Sequence, residues 1–239
     1  MTEDIIELIE EKKVTNLREL SEKIKVPYTK LRNISCGRVR FESLFKIKRR
    51  HEVSPKRSGD LAEIIGIVLG DGNILKLKRC QRLVISCDRK HPGKTTEIKN
   101  LIHKIFKKEP KIYRRSKVNC DDVCLYMQNI DKALGLKAGS KIRNKVKIPK
   151  WVLKNKKFLV RCLKGLFETD GNYSENKKFY VQFIEFENRC KELKLSAYKA
   201  IKSLGYNPQL GNRYVRLARR REVADFIKRI KYFKCQSLW

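Results

Sequence analysis

The chain has 239 residues, enough to bury at least one substantial core, and carries 58 Lys and Arg against 26 Asp and Glu, a formal net charge of +32. The excess runs along the whole sequence, which points to a long polyanion as partner, while 41% hydrophobic content and clear periodic segments exclude a disordered basic arm. No apolar run approaches the roughly 18–20 residues of a membrane span and the charged start is not a secretory leader, so the expectation is an intracellular protein, in cytoplasm, nucleoid or an organelle, with no membrane partner.

The first fifty residues read as a unit of their own. Ile5, Ile6, Leu8 and Ile9 predict one helix, Leu17 to Ile24 a second, and Tyr28 to Ile34 a third, with Lys25-Val26-Pro27 as the turn between the last two. Two short helices around a tight turn, the later one carrying Tyr28, Thr29, Lys30, Arg32 and Asn33, are similar to a helix-turn-helix whose second helix enters a major groove. Residues 1–45 are assigned to this small all-α unit. Residues 46–59, rich in charge, Pro, Ser and Gly without a hydrophobic period, are assigned as a basic linker.

Asp60 is placed to cap the next helix, with Glu63 three residues on as its reciprocal partner. That helix is the run Ile64-Ile65-Gly66-Ile67-Val68-Leu69-Gly70-Asp71-Gly72, with Gly72 expected to close it in the left-handed conformation. Two strands follow, the first with Leu75 and Leu77 facing one way and Lys76 and Lys78 the other, the second with Leu83, Ile85 and Cys87 alternating with Arg82, Val84, Ser86 and Asp88. A helix over 95–107, strands over 111–115 and 123–128, and a short helix over 130–136 complete this part, and Pro149 breaks the chain before Trp151.

The order then repeats. An apolar helix from about Lys157 runs into Leu163-Lys164-Gly165-Leu166-Phe167-Glu168-Thr169-Asp170-Gly171, and the two Asp-Gly pairs are 170 − 71 = 99 positions apart. Strands around Tyr173 and over 179–186, a helix over 188–204, strands near Gln209 and over 214–218, and a helix over 221–230 follow. Residues 60–147 and 148–239 are therefore two repeats, an intramolecular pseudo-dimer. Eight cysteines at irregular spacing include no Cys-x-x-Cys pair, and His51, His91 and His103 are scattered, so reduced packed thiols are expected rather than zinc or disulfides.

An aspartate at a helix C-terminus sits at the unfavourable end of the dipole, and two at matching places need a reason. If Gly66 and Gly165 let the two helices approach closely about a pseudo-twofold axis, Asp71 and Asp170 meet. Paired carboxylates repel unless a cation lies between them, and a hard, oxygen-ligated ion such as Mg²⁺ meets that demand. Such an ion beneath a basic sheet suits phosphodiester hydrolysis. On that geometry Lys76, Lys78, Arg82 and Ser86 in the first repeat, and Gln182 and Arg216 in the second, face the groove as base or phosphate contacts.

The two nonapeptides resemble the paired signatures of the LAGLIDADG homing endonucleases, and the resemblance covers residues 60 to about 235, including Ile148-Pro149-Lys150-Trp151 on the approach to the second motif. It implies an α+β fold of two pseudo-symmetric αββαββα repeats, with the motif helices packed at the centre of a saddle of antiparallel strands. It implies divalent metal, Mg²⁺ or Mn²⁺, on Asp71 and Asp170, assisted by the carbonyls of Gly70 and Thr169. The implied protein is a monomeric, site-specific endonuclease for a long asymmetric site in double-stranded DNA, from an intron- or intein-associated mobile element. The alternative is a weak or non-cleaving relative, acting as a DNA-binding regulator or gripping intron RNA as a maturase. Three departures stand out: Leu69 against Glu168 at the sixth motif position, Gly70 against Thr169 at the seventh, which predicts a slightly spread helix pair, and no basic residue at the strand end where the family often has one. Asp88 and Phe186 or Glu187 occupy those places, with Arg89, Lys90 and Arg189 nearby.

Overall fold

The computed structural model describes residues 16–23, 25–36, 38, 54–176, 178 and 181–232. The chain divides into two units, Met1–Arg50 and His51–Trp239. In the first, α1 (Leu17–Lys23) and α2 (Tyr28–Ser35) bury Leu20 and Leu31. The turn between them is held by Ser21, whose hydroxyl donates to Val26 O at 2.6 Å while its carbonyl accepts from Val26 N. Tyr28, Thr29, Lys30 and Arg32 are exposed and Asn33 is half-buried, with the Arg18 guanidinium 5.8 Å above the Tyr28 ring. The helix expected around Ile5 to Ile9 and most of the basic linker lie outside the described residues.

The second unit is α+β. Its first repeat runs α3 (Gly59–Gly70), β1 (Gly72–Lys76), β2 (Gln81–Asp88), α4 (Pro92–Phe106), β3 (Lys111–Arg114), β4 (Cys120–Met127) and α5 (Ile130–Leu134). A single turn, α6 (Lys150–Leu153), leads to the second: α7 (Lys156–Asp170), β5 (Gly171–Asn176), β6 (Val181–Glu187), α8 (Lys191–Ser203), β7 (Gln209–Leu210), β8 (Tyr214–Leu217) and α9 (Arg220–Ile230). Two four-stranded antiparallel sheets result, ordered β1-β2-β4-β3 and β5-β6-β8-β7. In each, the strand that follows a motif helix lies at the sheet edge. The order of elements is the one the repeats predict, apart from α6.

The helix pair α3 and α7 forms the centre, both buried along most of their length. A Cβ added to Gly66 would lie 2.0 Å from Cys162 O, and one on Gly165 would lie 2.4 Å from Glu63 O, so the two backbones are in direct contact where the glycines sit. The spread pair expected from Thr169 is not found. Gly70 makes the room: a Cβ there would lie 1.9 Å from Thr169 Oγ1, a hydroxyl turned back onto its own helix to donate to Gly165 O and Leu166 O at 3.1 and 2.9 Å.

Several local expectations are corrected. The N-cap of α3 is Ser58, whose Oγ accepts from Leu61 N, and Asp60 instead pairs with Arg161 and Lys104. Gly72 does not close the helix in the left-handed region: Asp71 caps it at φ −87°, and Gly72 already pairs with Ile85 in β1, where a Cβ would lie 2.5 Å from Val68 Cα. Because β1 starts there, its inward residues are Gly72 and Ile74, not Leu75 and Leu77. Lys76 consequently shares the helix-facing side with Ile74, at the strand end, and Lys78 falls in the turn before β2. In the second sheet Gln182 aligns with Ile184 and Phe186 on the helix side, where its amide donates to Arg220 O at 2.9 Å. Neither Lys76 nor Gln182 is on the groove face.

The seam between the motif helices carries buried charge. Glu63, with a side chain 2% exposed, pairs with Lys164 at 2.8 Å and Arg161 at 2.6 Å. Glu168, fully buried, pairs with Lys94 at the start of α4, and burial pushes its carboxyl up against the pull of Lys94 and Lys164. Removing one member of such a group strands the others. Glu63→Gln is expected to cost about 2–3 kcal/mol, read as a lower midpoint in urea unfolding with unchanged slope. Among the described residues the cysteines are free thiols, and burial pushes Cys162 up to about 12.

Candidate active site

Each motif helix delivers its acidic residue at its C-terminus. Asp71 is the residue capping α3, with its N–H donating to Ile67 O, and Asp170 is the last residue of α7. The close packing at Gly66 and Gly165 sets the two ends side by side: the position of a Cβ on Gly70 is 3.5 Å from the Asp170 carboxyl carbon. Asn188, just past β6, donates from Nδ2 to Asp170 Oδ2 at 2.8 Å. Its own amide is held at both ends, since Oδ1 accepts from Cys190 N and the Asn188 N–H donates to Arg213 O.

The cation at this place comes from the segment joining the repeats. Lys141 Nζ donates to Leu69 O at 2.9 Å and to Gly70 O. Burial pushes its ammonium below the ordinary lysine value, against the attraction of Asp170 and Asp71. The loop is tied to the first sheet by Gly139, whose N–H donates to Ile74 O and whose φ of +97° suits glycine. A cavity of about 720 Å³ opens here, with Gly70, Asn73, Lys141, Asp170, Glu187, Asn188, Arg189 and Arg213 on its wall.

Sequence reasoning expected the two aspartates to meet and did not single out Lys141. It looked at strand ends, where Arg89 instead holds a loop, donating to Arg115 O at 2.7 Å and Val118 O at 2.6 Å. Lys141 is one of many cations in a stretch without acidic residues, and no local period separates it from its neighbours. Among the described residues there is no cluster of three or more His, Cys, Asp or Glu able to cage a metal. The Asp170 carboxylate on the open cavity, with Asp71 at the neighbouring helix end, suits a hard ion such as Mg²⁺, which takes one or two carboxylates and completes its shell from phosphate and water. The Gly70 carbonyl already accepts from Lys141.

The sheet faces turned away from the helices carry further polar groups. On the first, Arg82 lies between Leu75 and Tyr126, and Ser86 donates to Asp122 at 2.8 Å. Arg115 also joins Asp122 at 2.8 Å. On the second, Arg216 bonds Glu185 Oε2 at 2.9 and 2.7 Å and lies 4.2 and 4.4 Å from the Phe183 and Tyr214 rings.

This architecture matches solved structures. The homing endonuclease I-WcaI bound to its DNA recognition sequence superposes with a TM-score of 0.56 at 18% identity, over 81% of this chain and 89% of that one. The chain has the LAGLIDADG homing-endonuclease fold. I-DmoI in complex with DNA and Ca shares the homing-endonuclease fold at a TM-score of 0.50 and 18% identity, over 72% and 88% of the two chains. Full-length DUF199/WhiA from Thermatoga maritima shares it too, at 0.52 and 17%, over 79% of this chain and 62% of that one. No protein-family model matches the chain. In sequence it is 25% identical over 205 residues to the replication factor C small subunit of Methanocaldococcus jannaschii, covering 76% of this chain but only 11% of that much longer protein. No helix among the described residues is long and apolar enough to cross a membrane.

Proposed function

We propose that the chain is a homing endonuclease of the LAGLIDADG family, making a divalent-metal-dependent double-strand cut at a long asymmetric DNA site. The observation that carries this reading is the meeting of Asp71 and Asp170 at the ends of two helices in backbone contact, with the Lys141 ammonium held beside them. DNA is the partner of the fold neighbours I-WcaI and I-DmoI, and a net charge of +32 agrees with it.

Asp71 and Asp170 would hold Mg²⁺ or Mn²⁺, with the Thr169 and Gly70 carbonyls in reserve. When bound, the ion supplies an activated water and offsets charge on the phosphate. Lys141, fixed by two carbonyls, sets a positive charge beside the scissile phosphate, where it stabilises the oxyanion that grows as the P–O bond breaks. Asn188 restrains the Asp170 carboxylate. Arg82, Ser86 and Arg216 face the duplex from the sheets, and α2, in the separate N-terminal unit, reads a major groove with Tyr28, Thr29, Lys30, Arg32 and Asn33. Lys141→Met should lower the single-turnover cleavage rate by about 10²–10³-fold with duplex affinity nearly unchanged. An unchanged rate would remove Lys141 from the mechanism.

The test of the function is selection from a randomised duplex library, with and without Mg²⁺, recovering bound and cut molecules separately. Cutting at one long site, only with the ion, is the expected result. Tight binding without cutting would favour a DNA-binding regulator, and preference for folded RNA over duplex would favour a maturase.

A further inference from the structure

From Lys132 to Phe167 inclusive the sequence has 12 basic residues and no acidic one. Part of this stretch is a strap, a turn over 141–145 followed by irregular chain up to Pro149. Val146 and Ile148 are buried, the Val146 N–H donates to Lys141 O at 3.2 Å, and the Ile148 N–H donates to Ser196 Oγ at 3.2 Å. Lys145, which ends the turn over 141–145 at φ +47°, and Lys147 are exposed on either side of buried Val146. Asn144 fixes the entry to the strap by donating to Ala138 O at 2.9 Å.

Lys145 and Lys147, with Lys137, Lys150 and Lys199, line a cavity of about 630 Å³ whose sole acidic wall residue is Glu192. None of these five ammonium groups has an ion-pair partner among the described residues. Three arginines at or beside the sheets are instead paired with acids, Arg115 with Asp122, Arg89 with Asp121 and Arg216 with Glu185. The strap thus gathers five ammonium groups without an acidic partner around one cavity.

We propose that this lysine strap is a second phosphate-binding surface, taking the sugar–phosphate backbone of duplex DNA that continues out of the cleft. Continuity supports duplex DNA as the occupant. Gly139 to Ile142 line the first cavity and Asn144 to Lys150 the second, so consecutive stretches of one chain face both and one polyanion can run from the first to the second. The inference rests on the nuclease reading for the identity of that polyanion, and it adds a contact that anchors DNA without reading bases.

The experiment measures affinity for a mixed-sequence duplex of about 40 base pairs in EDTA, across a salt series, for the full chain and for Lys145→Gln/Lys147→Gln/Lys150→Gln. Each lost phosphate contact lowers the slope of log K against log salt by about 0.9, so a fall of about 2–3 is expected, with weaker binding at moderate salt. The matching Lys→Arg triple should restore the slope, and Lys99→Gln/Lys104→Gln, which removes charge from α4, should not alter it. An unchanged slope in the Gln triple overturns the proposal, as does a loss confined to folded RNA. Because no metal is present, a strap-dependent slope in a protein that never cuts would sink the nuclease reading and leave this one standing. Site-specific cutting with an unchanged slope would do the reverse.

Discussion

Asp71→Asn and Asp170→Asn should each abolish the double-strand cut, with rates down by about 10³-fold or more, while duplex affinity stays within about threefold. Asparagine keeps the volume of the side chain and removes the charge, so the helix ends remain packed and the carboxylate pair loses one member. Affinity is carried by phosphate contacts spread over many cations, which is why binding survives. The single variants should not be equivalent. Asp170 accepts from Asn188, whereas the strand register puts Cys87, not an amide, at the matching place of the first repeat, two residues past the partner of Gly72 as Asn188 is two past the partner of Gly171. Strand-labelled duplex resolved on denaturing gels should show different nicking patterns for the two variants. Matched patterns would refute the inequality, and full cutting by either variant would refute the site.

The second large effect falls on stability. Gly66→Val and Gly165→Val each drive a branched side chain into the backbone of the opposite helix, where even a Cβ would be 2.0 Å from Cys162 O or 2.4 Å from Glu63 O. Neither contact can be relieved by rotating a side chain. The helices must part, opening the centre of the core. A cost upward of about 4 kcal/mol is expected, a large share of the roughly 5–15 kcal/mol that holds a domain folded. For a unit of this size that is a fall of about 10 °C in Tm by circular dichroism. Gly93→Ala is the control, since nothing lies within 4 Å of its Cβ position. A Gly66→Val protein melting within about 2 °C of the parent would show that the backbones are not in contact.

The order of elements was legible because each carries its own period, and the doubling was legible because two Asp-Gly pairs follow two apolar helices at matching places. What failed was local choice between near-equal signals. Ser58 and Asp60 both suit a cap, and Ser58 wins because Asp60 is drawn to Arg161 and Lys104. The phase of β1 depends on the strand starting at Gly72, one residue after the cap, which the Leu and Lys alternation conceals. Lys141 was illegible for a different reason. It reaches Gly70 across 141 − 70 = 71 residues, and nothing near it in sequence records that contact.

The pairing of Gly70 with Thr169 carries a consequence for ancestry. A two-repeat chain invites the picture of a former symmetric dimer, with either half able to associate with its own copy. Here the seventh motif positions are matched as a bump and a hole: the Thr169 hydroxyl fills the space a Cβ at residue 70 would need. Two copies of the second half would bring two threonines into one space, and two copies of the first would leave the space open. The halves have become sexes rather than twins, and a grafted foreign half must bring the complementary residue with it.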